Sequence, residues 1–95
     1  MSNDLFGIAM IHTMSLEKFK KYDYNGTAKY HKPEIIDCYK EDKFQKILNA
    51  NGEEVTSRGR YYTAEKVTTL DKVDGFDILN YEHFDFGGGY YVVYV

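Results

Sequence analysis

A glycine-punctuated run, Asn49-Ala-Asn-Gly-Glu-Glu-Val-Thr-Ser-Arg-Gly-Arg-Tyr-Tyr-Thr63, resumes after five residues as Thr69-Leu-Asp-Lys-Val-Asp-Gly-Phe-Asp-Ile78. It is divided by the pairs Asn51-Gly52, Arg58-Gly59 and Asp74-Gly75. Glycine and asparagine adopt the positive φ angles that tight hairpins need, so the pattern predicts strand, turn, strand, turn, strand. We expect a hairpin around Asn51-Gly52 and a bulge at Gly59.

The flanking segments extend this β pattern. Pro33 opens a predicted strand, Glu34-Ile-Ile-Asp-Cys-Tyr-Lys40, with Ile36 and Cys38 on one face. Within the first 22 residues, Leu16, Phe19 and Tyr22 recur at every third position, as in a helical turn, but the same segment suits a twisted, half-solvated strand, which the β context favours.

A polar segment from Asp23 to Pro33 contains Asn25-Gly26 and the chain's one proline. It predicts a single loop of about ten residues, and long loops are often functional. The fold class predicted for residues 1–95 is therefore mainly β. We expect one small domain, a β-barrel or sandwich of about six to seven strands with one long loop.

The chain ends in Tyr90-Tyr-Val-Val-Tyr-Val95, after three consecutive glycines. Because this hexapeptide is apolar on both faces, the sequence predicts one of two arrangements. It is either a central strand or an edge strand that another chain covers.

The charge is unevenly distributed along the chain. The net charge is −3, and residues 67–95 hold five acids and one lysine, whereas residues 1–66 hold ten acids and eleven bases. The dense positive surface of a sequence-reading DNA-binding protein is missing. The one basic region spans Lys18 to Lys46, and its lysines alternate with acids, as on solvated strand faces. Lysines combined with tyrosines would also suit an OB-like nucleic-acid-binding barrel.

No residue pattern predicts catalysis, a metal site or a cofactor, and we expect a protein that is not an enzyme. His12, His31 and His83 have no partners at a recognisable ligand spacing. Cys38 is the one cysteine and sits in an apolar strand, where a thiol is usually inert. Since no apolar run approaches the roughly 20 residues that span a bilayer, we expect no membrane partner and a soluble protein.

The residues from Tyr24 to Ile78 resemble the small head-tail connector proteins of tailed bacteriophages, which are also called minor capsid, head closure or stopper proteins. The resemblance covers about three-quarters of the chain, and Met1 to Leu16 lies outside it. It is carried by the segments Asp23-Tyr-Asn-Gly26, Pro33-Glu-Ile-Ile-Asp-Cys-Tyr39, Asn51-Gly-Glu-Glu-Val-Thr-Ser57, Arg60-Tyr-Tyr-Thr63, Asp71-Lys-Val-Asp-Gly75 and Tyr91-Val-Val-Tyr-Val95.

The resemblance implies a β-barrel protomer in a ring, commonly of about twelve copies, between the portal or adaptor protein and the tail proteins. Such a protein lies in the neck of the virion, is assembled in the bacterial cytoplasm, and helps to retain packaged DNA. Lys29, His31 and Lys32 are then the candidate DNA-channel residues, on the long loop. The candidate inter-subunit strand consists of Tyr91, Val93, Tyr94 and Val95, through strand addition. The alternative is a small nucleic-acid-binding or adaptor barrel that acts alone.

Overall fold

A computed structural model describes residues 4–5, 8–85 and 89–95. In these residues the chain is mainly β and contains no helix, which confirms the predicted class. The strands are β1 (Asp4–Leu5), β2 (Ile8–Ala9), β3 (His12–Glu17), β4 (Phe19–Tyr22), β5 (Ala28–Tyr30), β6 (Glu34–Leu48), β7 (Glu54–Thr63), β8 (Lys72–Val73), β9 (Phe76–Asp77), β10 (Asn80–Phe84) and β11 (Tyr90–Tyr94).

The main sheet has seven strands in the order β10-β11-β7-β6-β3-β8-β9, and all of its pairs are antiparallel. The 15-residue strand β6 is shared by two parts of this sheet. Residues 34–38 of β6 pair with β3, and residues from Tyr39 onward pair with β7. Over the described residues the strand order does not close on itself, so the fold is a sandwich folded about β6 and not a closed barrel.

The core lies between the two parts of the sheet. Met14 and Leu16 of β3 belong to the same buried cluster as Tyr61 of β7 and Val93 of β11, with Cys38 of β6 among them. Burying a side chain such as that of Leu16 contributes roughly 1.5–3 kcal/mol to folding. The cluster also contains Val67, Val73, Ile78 and Val95.

The alternation predicted for β6 is confirmed. Cys38 is fully buried and Ile36 packs against the core, whereas Ile35 on the other face is 72% exposed. Burial raises the pKa of the Cys38 thiol to about 11, so the thiol stays protonated at neutral pH. It acts as a small apolar side chain.

The hairpin predicted around Asn51-Gly52 is confirmed as the β6–β7 connection. Gly52 has a φ of +81°, and the side-chain Oδ1 of Asn49 accepts hydrogen bonds from the backbone N–H groups of Asn51 and Glu53. Asparagine at the start of a turn commonly makes such bonds, because its short side chain reaches the backbone two residues on.

The predicted bulge lies beside Gly59, on the partner strand. Asp42 pairs with Gly59 and Gln45 pairs with Ser57, so two residues of β6 oppose the single residue Arg58. A Cβ atom on Gly59 would lie 3.0 Å from the backbone oxygen of Glu41. Glycine is needed here because the two backbones approach closely, and not because of its φ angle.

The prediction of one long loop between Asp23 and Pro33 is wrong. Ala28–Tyr30 is a strand, β5, that pairs back on β4. The carboxylate of Asp23 accepts hydrogen bonds from the N–H groups of Asn25 and Thr27, and Gly26 has a φ of +80°. These local bonds close the turn early, so the residues after it are free to form a second strand.

The terminal strand β11 is central, the first of the two predicted arrangements. Residues Tyr91–Tyr94 pair with β7 on one edge, and Tyr90–Tyr94 pair with β10 on the other. Val95 continues the pairing, since its N–H donates to the oxygen of Gly59. The expectation that Tyr91, Val93, Tyr94 and Val95 pair with a neighbouring subunit is thereby corrected, because strands of the same chain occupy both edges.

We predict that Gly59→Ala destabilises the protein by roughly 1–3 kcal/mol, because the added methyl group overpacks the backbone contact with Glu41. Urea denaturation measures the free energy of unfolding. Thr56→Ala, on an exposed position of the same strand, is the control and should stay within about 0.5 kcal/mol of wild type. Equal effects of the two substitutions would contradict the close-contact explanation.

Candidate functional site: a basic hairpin arm

Residues 18–32 form a hairpin that we call the arm. Its strands β4 and β5 make a two-stranded sheet of their own, separate from the seven-stranded sheet. The paired residues are Phe19 with Tyr30, Lys21 with Lys29, and Tyr22 with Ala28, with an irregularity between Phe19 and Lys21.

The arm has one aromatic face and one lysine face. Side chains alternate along a strand, so Ala28 and Tyr30 lie on one face of β5 and Lys29 lies on the other. The ring of Phe19 lies 4.8 Å from that of Tyr22 and 6.2 Å from that of Tyr30, which holds the aromatic face together. Lys21, opposite Lys29, completes the lysine face.

The lysine face places two like charges directly across from each other. Like charges at opposed positions of two strands are destabilising. Asp23 offsets this only weakly, because its Oδ2 lies 3.8 Å from Nζ of Lys29 and the Lys29 side chain is 54% exposed. The arm therefore keeps an electrostatic repulsion that its own residues do not cancel.

The arm is basic in an acidic chain. Residues 18–32 hold five lysines and one aspartate, a net charge of +4, whereas the whole chain carries −3, so the other 80 residues carry −7. At the tip of the arm, Tyr24 is 97% exposed. The structure therefore concentrates positive charge and an exposed aromatic ring on one small element.

A buried carboxylate anchors the base of the arm. The side chain of Asp71 is 2% exposed, and its oxygens accept hydrogen bonds from Nζ of Lys18 at 2.7 Å, from the N–H of Phe19 at 2.7 Å and from the N–H of Thr68 at 2.9 Å. Burial alone would raise the pKa of Asp71, but these three donors outweigh it and the pKa lies below its ordinary value.

A second carboxylate, Asp74, joins the two parts of the sandwich. Its oxygens accept hydrogen bonds from the N–H of Ser15 on β3 and from the hydroxyl of Tyr61 on β7, both at 2.8 Å. Nζ of Lys40 on β6 lies 3.0 Å away. Burial opposes ionisation, but these partners outweigh it and lower the pKa of Asp74. Asp74 and Gly75 both have positive φ, as a two-residue hairpin turn requires.

The predicted channel residues all lie on the arm, one on a strand and two in the short connection that follows it. Lys29 belongs to β5, and His31 and Lys32 follow it as exposed residues. The N–H of His31 donates to the oxygen of Lys18 and so closes the base of the hairpin. Sequence reasoning missed Lys21; a three-residue turn, Tyr24-Asn25-Gly26, closed by Asp23 and Thr27, places it opposite Lys29.

The other histidines have structural contacts. Nδ1 of His12 accepts a hydrogen bond from the N–H of Lys40 at 3.0 Å and so extends the β3–β6 ladder. The ring of His83 stacks on that of Tyr91 at 4.4 Å. Across the described part of the chain, no group of three histidine, cysteine or carboxylate side chains is placed to hold a metal ion. None of the described residues forms a helix that is long and apolar enough to cross a membrane.

Neither a scan against protein-family models nor searches of curated proteins and of solved structures finds a match to this chain. What the arm can do therefore follows from its own residues. Exposed ammonium groups bind anions, and an arm fixed at its base by Asp71 presents them in a defined direction.

We predict that Lys21→Glu stabilises the protein by about 0.2–1 kcal/mol, because it replaces a like-charge pair with an opposite-charge pair. Thermal unfolding at low and high salt measures the gain, which should shrink as salt screens the charges. Lys43→Glu, on an exposed position of β6, is the matched control and should give no gain, since it adds negative charge to an acidic body. A loss of stability in Lys21→Glu would contradict the opposed-lysine geometry.

A second prediction concerns Asp71. Because its folded-state pKa is lowered, its ionisation stabilises the fold above the unfolded pKa, and this contribution disappears as the pH falls through the folded value. Asp71→Asn should therefore lower the free energy of unfolding at pH 7 by about 1–3 kcal/mol and flatten its decline at acidic pH. Urea denaturation between neutral and acidic pH measures both effects. Asp85→Asn is the control, because the side chain of Asp85 is 95% exposed. If the free energy of unfolding of Asp71→Asn falls with pH in parallel with that of wild type, the ionised Asp71 does not anchor the base of the arm.

Proposed function

We propose that this chain is a structural, non-enzymatic component of a tailed-phage neck. It forms a ring between the portal or adaptor protein and the tail proteins, joins head to tail and helps to retain packaged DNA. The sequence resemblance from Tyr24 to Ile78 supports this proposal, together with the mainly β fold of a small domain.

The observation that carries the proposal is the separation of charge between the arm, at +4, and the rest of the chain, at −7. A protein that surrounds packaged DNA needs one element that can meet the phosphate backbone and a larger surface that lets the DNA pass. The basic arm and the acidic body differ in this way. Exposed carboxylates on the body include Asp77 and Asp85, whose side chains are 83% and 95% exposed.

The same separation suits a channel for DNA. An acidic inner surface repels the phosphate backbone and lets DNA pass, whereas an arm that bears Lys29, His31 and Lys32 holds it at one level. In this proposal the arm is turned toward the channel. Retention of DNA then depends on the arm, and ring assembly depends on the body.

The alternative, a stand-alone nucleic-acid-binding protein, is favoured by one observation. Tyr24 is 97% exposed beside lysines, and bases stack on exposed aromatic rings in proteins that bind single strands. The open sheet argues against an OB-like barrel, since the strand order of the described residues does not close. Native mass spectrometry with the portal and tail proteins separates the two functions: a neck protein joins a ring, and a stand-alone protein binds single-stranded DNA as a monomer.

We predict that replacing Lys29, His31 and Lys32 together by glutamine leaves the fold intact and makes filled heads lose DNA. The measurement is the fraction of particles that keep their genome after purification. The control replaces Lys43 and Lys46, two exposed lysines of β6, by glutamine. DNA retention equal to wild type in the arm variant would contradict the role of the arm. Absence of the wild-type protein from purified particles would contradict the neck assignment itself.

A further inference from the structure

We infer that the lysine face of the arm is a sequence-independent binding site for the phosphate backbone of duplex DNA, with Lys21 and Lys29 as the contacting pair. This rests on the proposed function and deepens it, because it names the chemistry that the arm offers to packaged DNA. It also adds Lys21, a residue that the candidate channel set did not include.

The opposed pair of lysines is itself suited to an anion. Lys21 and Lys29 are direct cross-strand partners, and their repulsion weakens the arm in the absence of a ligand. An anion between the two ammonium groups converts this repulsion into two attractions. The repulsion that destabilises the free arm is therefore relieved when an anion binds. This is expected of charged residues that serve a ligand.

Most of the lysines of the arm are available to a ligand. Lys18 is already paired with a buried carboxylate, since its Nζ lies 2.7 Å from Oδ2 of Asp71. Lys20, Lys21 and Lys32 are exposed, and within the described part of the chain Lys29 has the weak contact with Asp23 at 3.8 Å as its ion pair. The arm thus uses one lysine to fix its base and turns the others to solvent.

The types of cation on the arm favour nucleic acid over a protein partner. All five cations of the arm are lysines, and no arginine lies between residues 18 and 32. Lysine is depleted from protein interfaces, where arginine is enriched. A lysine ammonium also binds phosphate as a point charge, without the bidentate geometry of arginine. Phosphate contacts carry no sequence information directly, so the site should not discriminate among DNA sequences.

The charge of the rest of the molecule also favours contact through the arm. Because the rest of the chain carries −7, the body is repelled by DNA and the arm makes the first contact.

The test measures the affinity of the full chain for short duplex DNA by fluorescence anisotropy over a range of salt concentrations. The variants are Lys21→Gln with Lys29→Gln and, as a matched control with the same charge change, Lys43→Gln with Lys46→Gln. Each phosphate contact contributes about 0.9 to the slope of log affinity against log salt, so the arm variant should lose about 1.8 of that slope and the control should keep it. Two duplexes of unrelated sequence should bind equally.

Further measurements keep the result unambiguous. Thermal unfolding should show the arm variant at least as stable as wild type, and Lys21→Arg with Lys29→Arg should restore binding, which excludes a folding defect. An unchanged slope in the arm variant, or a preference for one DNA sequence, overturns the inference. Absence of DNA binding in wild type at low salt, with self-association that depends on Lys21 and Lys29, also overturns it and assigns the arm to a neighbouring copy.

Failure here is separable from failure of the proposed function. A chain that joins the neck ring but has no lysine-dependent affinity for DNA refutes the phosphate site and leaves the neck role standing. A chain that binds DNA through Lys21 and Lys29 but never joins phage particles refutes the neck role.

Discussion

The fold depends on the double use of strand β6. Its first five residues pair with β3, and its remaining paired residues pair with β7. This places β3 and β7 in two parts of one sheet, which fold toward each other because each has an apolar inner face. Cys38, the last residue of β6 that pairs with β3, is fully buried in the core between these parts. Every other strand of the main sheet adds to one side or the other of this shared strand.

Two carboxylates in the segment after β7 complete the arrangement. Asp71 fixes the base of the arm and Asp74 ties β3 to β7, with only two residues between them. Both pKa values are lowered, because hydrogen-bond donors outweigh the effect of burial, so both groups are ionised at neutral pH. The segment that holds the base of the arm therefore also holds the two parts of the sandwich together. A substitution at either carboxylate should affect both the arm and the sandwich.

The arm differs from the rest of the molecule in what stabilises it. The body is held by a buried apolar cluster, whereas the arm is held by an aromatic face and by Asp71, and it carries opposed lysines that oppose its own folding. An element that keeps such repulsion beside an acidic body is suited to binding an anion. This is the physical basis of both proposals, and it requires neither a catalytic group nor a metal.

Local chemistry in the sequence was sufficient for the β class, for the hairpin turn at Asn51-Gly52 and for the inner and outer faces of β6, because turn propensity and side-chain alternation act over a few residues. At Asp23–Pro33 the same local signals predict a loop, but the structure has a hairpin, because Ala28–Tyr30 pairs back on Phe19–Tyr22 beyond the turn at Asp23 and Gly26. Only the tertiary structure decided that β11 is central, that Asp71 reaches the arm from about fifty residues away, and that Lys21 faces Lys29. These features depend on which segments meet in space, and a strand of given composition is compatible with several neighbours until the whole core is formed.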